Sequence, residues 1–234
     1  MTCIKLAIFD LDGTLVDSLD ELAAAANHVR NVFGLSKLSK PEVRELLGRG
    51  SRRLVENILP NPGPEDMARA QAEYLLYSKT HLLTKTCMYP GVKETLAALR
   101  RTVVHMAIIS NKHSTLTHDL LTRLGIDSYF NAVLGPDTFP HRKPMPEPVL
   151  KLLADFHTDP AEGIVIGDSA SDILSGKRAG VTTVACRYGY GSETELAHAD
   201  YHISALPDLL KLPLFGKGTY QTTAKARKGV SCER

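Results

Sequence analysis

In the stretch IFDLDGTLVDS, Ile8 to Ser18, two aspartates directly follow an apolar run. Alternate residues of a strand face the same way, so Asp10 and Asp12, separated by Leu11, would present both carboxylates on one side. A turn before Gly13 needs one acceptor, not two. Like charges placed together in this way call for a positive partner between them. Ser110 and Asn111 close a second apolar run, TVVHMAIISN, and Asp168 closes a third, GIVIGDS, with Asp172 one helical turn beyond it. Lys143 stands in HRKPMP, where Pro144 and Pro146 stiffen its loop. The set is an acid cluster, a hydroxyl, an amide and an amine.

The elements that would gather these groups can be read from periodicity. Ile4 to Phe9 is a short run of β-formers and reads as a buried strand. Ser18 with Glu21 has the form of a capping box, and Leu19, Leu22, Ala23, Ala26, Val29, Val32 and Phe33 share one helical stripe ended by Gly34. Helical patterns then cover about 41–47, 51–59 and 64–83, so 18–85 reads as an all-helical insertion. From Tyr89 onward, helices alternate with wholly apolar strands, the signature of a parallel sheet covered on both faces. The expected fold is α/β, a doubly wound Rossmann-like core over 1–17 and 86–215 carrying a helical cap. Ligands bind such sheets at the carboxyl ends of strands, where strand order reverses.

DLDGT, SN, RKP and GDSASD occur in that order, each at a strand end or in the adjoining loop. Together they resemble the four motifs of the haloacid-dehalogenase-like hydrolases, in the branch with phosphoglycolate phosphatases. The resemblance runs from about Ile4 to Asp208 and includes the position of the cap. It implies a phosphatase in which Asp10 is the nucleophile and Asp12 the general acid and base. Asp10, Asp168 and the backbone carbonyl of Asp12 would hold Mg²⁺, a hard ion suited to oxygen ligands. Ser110, Asn111 and Lys143 would hold the phosphoryl oxygens, and Asp172 would orient Lys143 or a metal-bound water. In the cap, GRGSRR supplies Arg49 as a reader of a substrate carboxylate. The family pattern gives His113 and His141 no role, and both are expected on the surface.

The implied substrate is a small phosphorylated metabolite, with 2-phosphoglycolate ahead of pyrophosphate, sugar phosphates and nucleotides. Asp12 speaks against dehalogenase or phosphonate chemistry, which lacks the second acid. Leu22, standing where the β-phosphoglucomutase branch has a histidine, speaks against a mutase. A non-catalytic binding protein on the same fold would be expected to have lost one of Asp10, Asp12, Lys143 and Asp168. Dinucleotide binding is disfavoured because no Gly-x-Gly-x-x-Gly opens the helix after the first strand.

Composition narrows the partners. Of the net charge of +2, the segment 216–234 carries five basic residues against Glu233, which leaves the rest near neutral. No basic face for nucleic acid is therefore expected on the folded part. That basic tail, poor in large apolar residues, is expected to be disordered. Four dispersed cysteines point to reduced thiols and a cytoplasmic setting, and no run approaches the ~18 apolar residues of a membrane span.

Overall fold

The computed structural model describes residues 3–47, 51–103 and 105–215. Its first strand, β1 (Leu6–Phe9), is buried throughout. Leu6 and Ile8 point into one hydrophobic layer, Ala7 and Phe9 into the opposite one, as the pleat requires. After β1 come β2 (Val16–Asp17), α1 (Leu19–Val32), α2 (Lys40–Leu47), α3 (Ser51–Ile58), α4 (Pro64–Thr80) and β3 (Cys87–Met88). The chain continues through α5 (Val92–Leu99), β4 (His105–Ile109), α6 (Ser114–Leu124), β5 (Ala132–Leu134) and α7 (Glu147–Asp155). It then forms β6 (Gly163–Gly167), α8 (Ala170–Ala179), β7 (Thr182–Cys186), α9 (Glu193–Leu196) and β8 (Tyr201–Ile203).

Six strands form one parallel sheet in the order β5-β4-β1-β6-β7-β8. The chain builds outward from β1 to β5, crosses back, and builds outward again from β6 to β8. The reversal falls between β1 and β6, so the ends of β1, β4 and β6 open on one crevice. One face of the sheet packs Ala7, Phe9 and Ile108 against Leu96, Leu99 and Leu120. The other packs Leu6, Ile8 and Val165 against Val149 and Leu152 of α7. The alternation of apolar strand and amphipathic helix produces this three-layer arrangement.

Helices α1 to α4 close over a separate core of Ala26, Val29, Val43, Leu54, Ile58, Ala70 and Tyr74. They lie between β2 and β3, which pair antiparallel through Val16–Met88 and Asp17–Cys87. No periodic signal marks this ribbon, because two-residue strands have no period to detect.

The expected capping box at Ser18 does not form. Ser18 is the N-cap of α1 but its side chain makes no cap bond. Its hydroxyl donates instead to Asp12 Oδ1 at 2.6 Å, and Glu21 accepts from the main chain and hydroxyl of Thr86. The residue types suited a local cap, but longer-range partners took them.

Packing predicts where stability resides. Phe9→Ala, at a fully buried position, is expected to cost about 3–5 kcal/mol and to lower the urea midpoint accordingly. Leu76→Ala, at a position 60% exposed, should stay within about 0.5 kcal/mol.

Candidate active site

Asp10 follows β1 directly, and its main-chain N–H donates to the Ile166 carbonyl at 2.9 Å, which ties it to β6. The Asp10 Oδ1 atom accepts from the Leu11 N–H at 2.7 Å and from Lys143 Nζ at 2.8 Å. The same ammonium donates to Asp172 Oδ1 at 2.6 Å. Asp172 is wholly buried and its other oxygen accepts from the Ser169 N–H and hydroxyl, closing a capping box at the start of α8. Asp172 thus serves the helix end and Lys143 together.

Asp168 follows β6 and is 2% exposed. It accepts from Thr14 Oγ1 at 3.0 Å and from the Tyr190 N–H at 2.7 Å. Glycines crowd it. A Cβ on Gly13 would lie 2.1 Å from Asp168 Oδ2, and one on Gly189 would lie 2.3 Å from Asp168 Cβ. Gly13 also has φ +85, a backbone that side chains rarely adopt. The glycine of DLDGT and the glycines of RYGYGS therefore leave the space that Asp168 fills.

Carboxylate oxygens of Asp10, Asp168 and Asp172 lie within 4.8 Å of one another. Burial, with help from Asp172 and Asp12, pushes the Asp10 carboxyl up to about 7, and Lys143 only partly offsets it. Burial, with Asp10 and Asp172 alongside, raises Asp168 well above the usual carboxylate range. Burial opposes the Lys143 ammonium, but Asp10 and Asp172 outweigh it and raise its pKa. Four carboxylates stand here against two ammonium groups: Lys143 pairs with Asp10 and Asp172, Lys112 with Asp12, and Asp168 with neither. The two charges left over are those a divalent cation cancels. An all-oxygen donor set with two surplus negative charges fits a hard metal ion.

Asp12 opens on the same cleft as Asp10, with Leu11 buried between them. Its carboxylate turns away from the other acids. Lys112 Nζ donates to both of its oxygens, at 2.7 and 3.0 Å, and the Ser18 hydroxyl donates to one. Ser110 is buried at the end of β4, lines the cleft, and accepts from the Lys112 N–H at 3.1 Å. Asn111 Nδ2 donates to the Lys143 carbonyl at 3.3 Å, joining the two loops. Arg49 lies outside the described residues. His141 is exposed, whereas His113 is half-buried, lines the cleft and stands 3.2 Å from Asp137.

Sequence reading passed over Lys112 and Tyr190. Lys112 adjoins Ser110 and Asn111, but nothing in its spacing separates a lysine folded inward from one in solvent. For Tyr190 a signal existed in the alternating glycines of RYGYGS. Its hydroxyl accepts from the Ser18 N–H at 2.7 Å, and the carbonyls of Gly189 and Tyr190 accept from Arg44 of α2 at 2.8 and 3.1 Å. The cleft between sheet and helices encloses about 1060 Å³.

The family model for haloacid dehalogenase-like hydrolases matches residues 7–186. The phosphoglycolate phosphatase of Vibrio vulnificus is 38% identical over 222 residues, covering 90% of this chain and 96% of the relative. That of Aquifex aeolicus is 33% identical over 213 residues, covering 89% and 96%. A crystal structure of a predicted phosphoglycolate phosphatase from Haemophilus somnus has a TM-score of 0.84 at 30% identity, covering 90% of this chain and 98% of that one. This chain belongs to the haloacid dehalogenase-like hydrolases. Its chemistry is that of a metal-dependent phosphoric monoester hydrolase, acting on a small phosphorylated substrate. Among the described residues no helix is long and apolar enough to cross a membrane.

The glycine packing around Asp168 can be tested directly. Gly189→Ala should displace Asp168 and raise the divalent-metal concentration for half-maximal activity by about 10–100-fold, the range seen when support around a metal ligand is lost. A metal titration of activity, beside a thermal melt to confirm folding, reads this out.

Proposed function

We propose that this enzyme hydrolyses 2-phosphoglycolate, using Mg²⁺ and a covalent phosphoryl intermediate on Asp10. The observation that carries this reading is the pair of carboxylates, Asp10 and Asp12, opening on one cleft with an ammonium group against each. A nucleophile alone would suffice for a good leaving group. A second acid two residues on is what an alkoxide leaving group needs. The substrate itself is proposed from the names of the relatives.

In the first step Asp10 bonds to phosphorus through a carboxylate oxygen, the ester P–O bond breaks, and Asp12 gives its proton to the departing alkoxide. In the second, Asp12 takes a proton from water as the water oxygen attacks phosphorus. The bond to Asp10 breaks, releasing phosphate and restoring both carboxyl groups to their starting states. Lys143 and Ser110, with the Asn111 N–H, hold the transferring oxygens, so that charge developing on them meets fixed donors. Asp172 keeps Lys143 extended toward Asp10. Mg²⁺ among Asp10, Asp168 and the Asp12 carbonyl would supply positive charge where anionic nucleophile meets anionic phosphate. Helices α1 to α4, at 18–85, serve as the cap that excludes water during transfer. Arg49, which the sequence assigns to this insertion, is proposed as a reader of the substrate carboxylate.

Asp10→Asn is expected to fold and to lose turnover by about 10³-fold or more. Hydrolysis of an aryl phosphate at the parent rate would remove Asp10 as nucleophile. Chelation should abolish activity, and Mg²⁺ should restore it; full turnover after exhaustive chelation would count against the metal. For Arg49→Ala, steady-state kinetics should show a higher KM for 2-phosphoglycolate than for ethyl phosphate relative to the parent enzyme. An equal rise for both would remove Arg49 from carboxylate reading.

A further inference from the structure

We propose that Lys112, lining the cleft beside Asp12, also donates to the substrate carboxylate, together with the Arg49 proposed above, and so selects phosphate esters carrying a carboxylate next to the ester carbon. This rests on the phosphatase reading above and adds a rule for the leaving group. Lys112 is only 11% exposed, and its ammonium spans both oxygens of Asp12 at 2.7 and 3.0 Å. An ammonium has three N–H donors. Two are directed at Asp12, and the third is available to the cleft that Lys112 lines.

Bond counting then locates what that third donor meets. If Asp12 protonates the leaving oxygen, that oxygen comes within about 2.5–3.0 Å of the Asp12 carboxyl during transfer. In 2-phosphoglycolate the carboxylate carbon is two bonds from the same oxygen. An amine already touching Asp12 therefore reaches this carboxylate without leaving its post. One more methylene carries the carboxylate away from the amine, and replacing the carboxylate by methyl leaves the third donor without its charged acceptor.

The other described cations of the cleft are differently placed. Lys143 is committed to Asp10 and Asp172, and Arg44 to two backbone carbonyls of the loop that holds Asp168, while Arg142 lines the cleft in the loop beside Lys143 and lacks the ion pair to Asp12 that Lys112 makes. The helical wall above is mixed, with Leu22, Leu54 and Val55 facing the cleft beside the acids Glu21 and Glu45 and the amide of Gln71. A 1060 Å³ space cannot select so small an acid by shape, and the acids Glu21 and Glu45 on its helical side would repel a carboxylate. A buried ammonium beside the proton donor can, because a hydrogen-bonding site that loses its partner rejects the analogue strongly.

The test compares kcat/KM for 2-phosphoglycolate, its one-methylene-longer homologue and ethyl phosphate, in the parent, Lys112→Met, Lys112→Gln and Lys112→Arg, with thermal melts to confirm folding. Loss of the Asp12 contact lowers all three substrates together. The proposal concerns the ratio of 2-phosphoglycolate to ethyl phosphate, which should fall about tenfold or more in the Met and Gln variants, as expected for a lost charged hydrogen bond. The Arg variant should retain more of that ratio than Met, and the longer homologue should depend less on Lys112. A ratio within about twofold of the parent in whichever of the Met and Gln variants folds would overturn the assignment while leaving the substrate reading intact. A parent enzyme that does not prefer 2-phosphoglycolate to ethyl phosphate would overturn the substrate reading, and the Lys112 rule with it.

Discussion

Mutual repulsion among carboxylates at the ends of β1 and β6 is the constraint around which this molecule is arranged. Asp10, Asp168 and Asp172 bring oxygens within 4.8 Å of one another, deep enough for burial to raise Asp10 and Asp168. Such crowding survives folding only because the surroundings hold it. Lys143 binds two of the acids, glycines leave Asp168 its space, and main-chain N–H groups of Leu11, Ser169 and Tyr190 supply further donors. A site so supplied with negative charge is prepared for a cation, and through it for an anionic substrate.

The two halves of the cleft divide the recognition physically. The sheet side offers charge at short range, where burial makes each ion pair specific in direction. The helical side adds apolar surface such as Leu22, Leu54 and Val55, interspersed with polar residues, and that apolar part removes water without naming a ligand. Charge read on the sheet side and water excluded by the apolar part of the helical side is a workable division for a substrate of few atoms.

The sheet and its chemistry were legible because they rest on repeated signals. Strands buried on both faces leave continuous apolar runs, and DLDGT, SN, RKP and GDSASD punctuate their ends, so the order of motifs indicated the crevice. What escaped the sequence depended on long-range partners. Ser18 and Glu21 have the spacing of a local cap, yet Asp12 and Thr86 take their side chains. Lys112 looks like any solvated loop lysine until β1 and β4 are set side by side. The two-residue strands β2 and β3 carry no periodicity, and their pairing follows from the need to return the chain to the sheet. Tyr190 is of the same kind: its contacts to Asp168 and Ser18 join positions 22 and 172 residues away.

That slender ribbon of β2 and β3 has a mechanical consequence. Both passages of the chain between sheet and helices run through it, so it is the natural axis for any swing of α1 to α4. Ser18 stands one residue beyond β2, close to that axis, so in such a swing it would travel little and Asp12 would keep its hydroxyl donor. Arg44 rides out along the lever arm, and its grip on the Gly189–Tyr190 carbonyls is the kind of contact that engages and releases with each excursion. The glycine-rich loop would then feel every opening at the backbone that steadies Asp168, while Asp12 would scarcely register it.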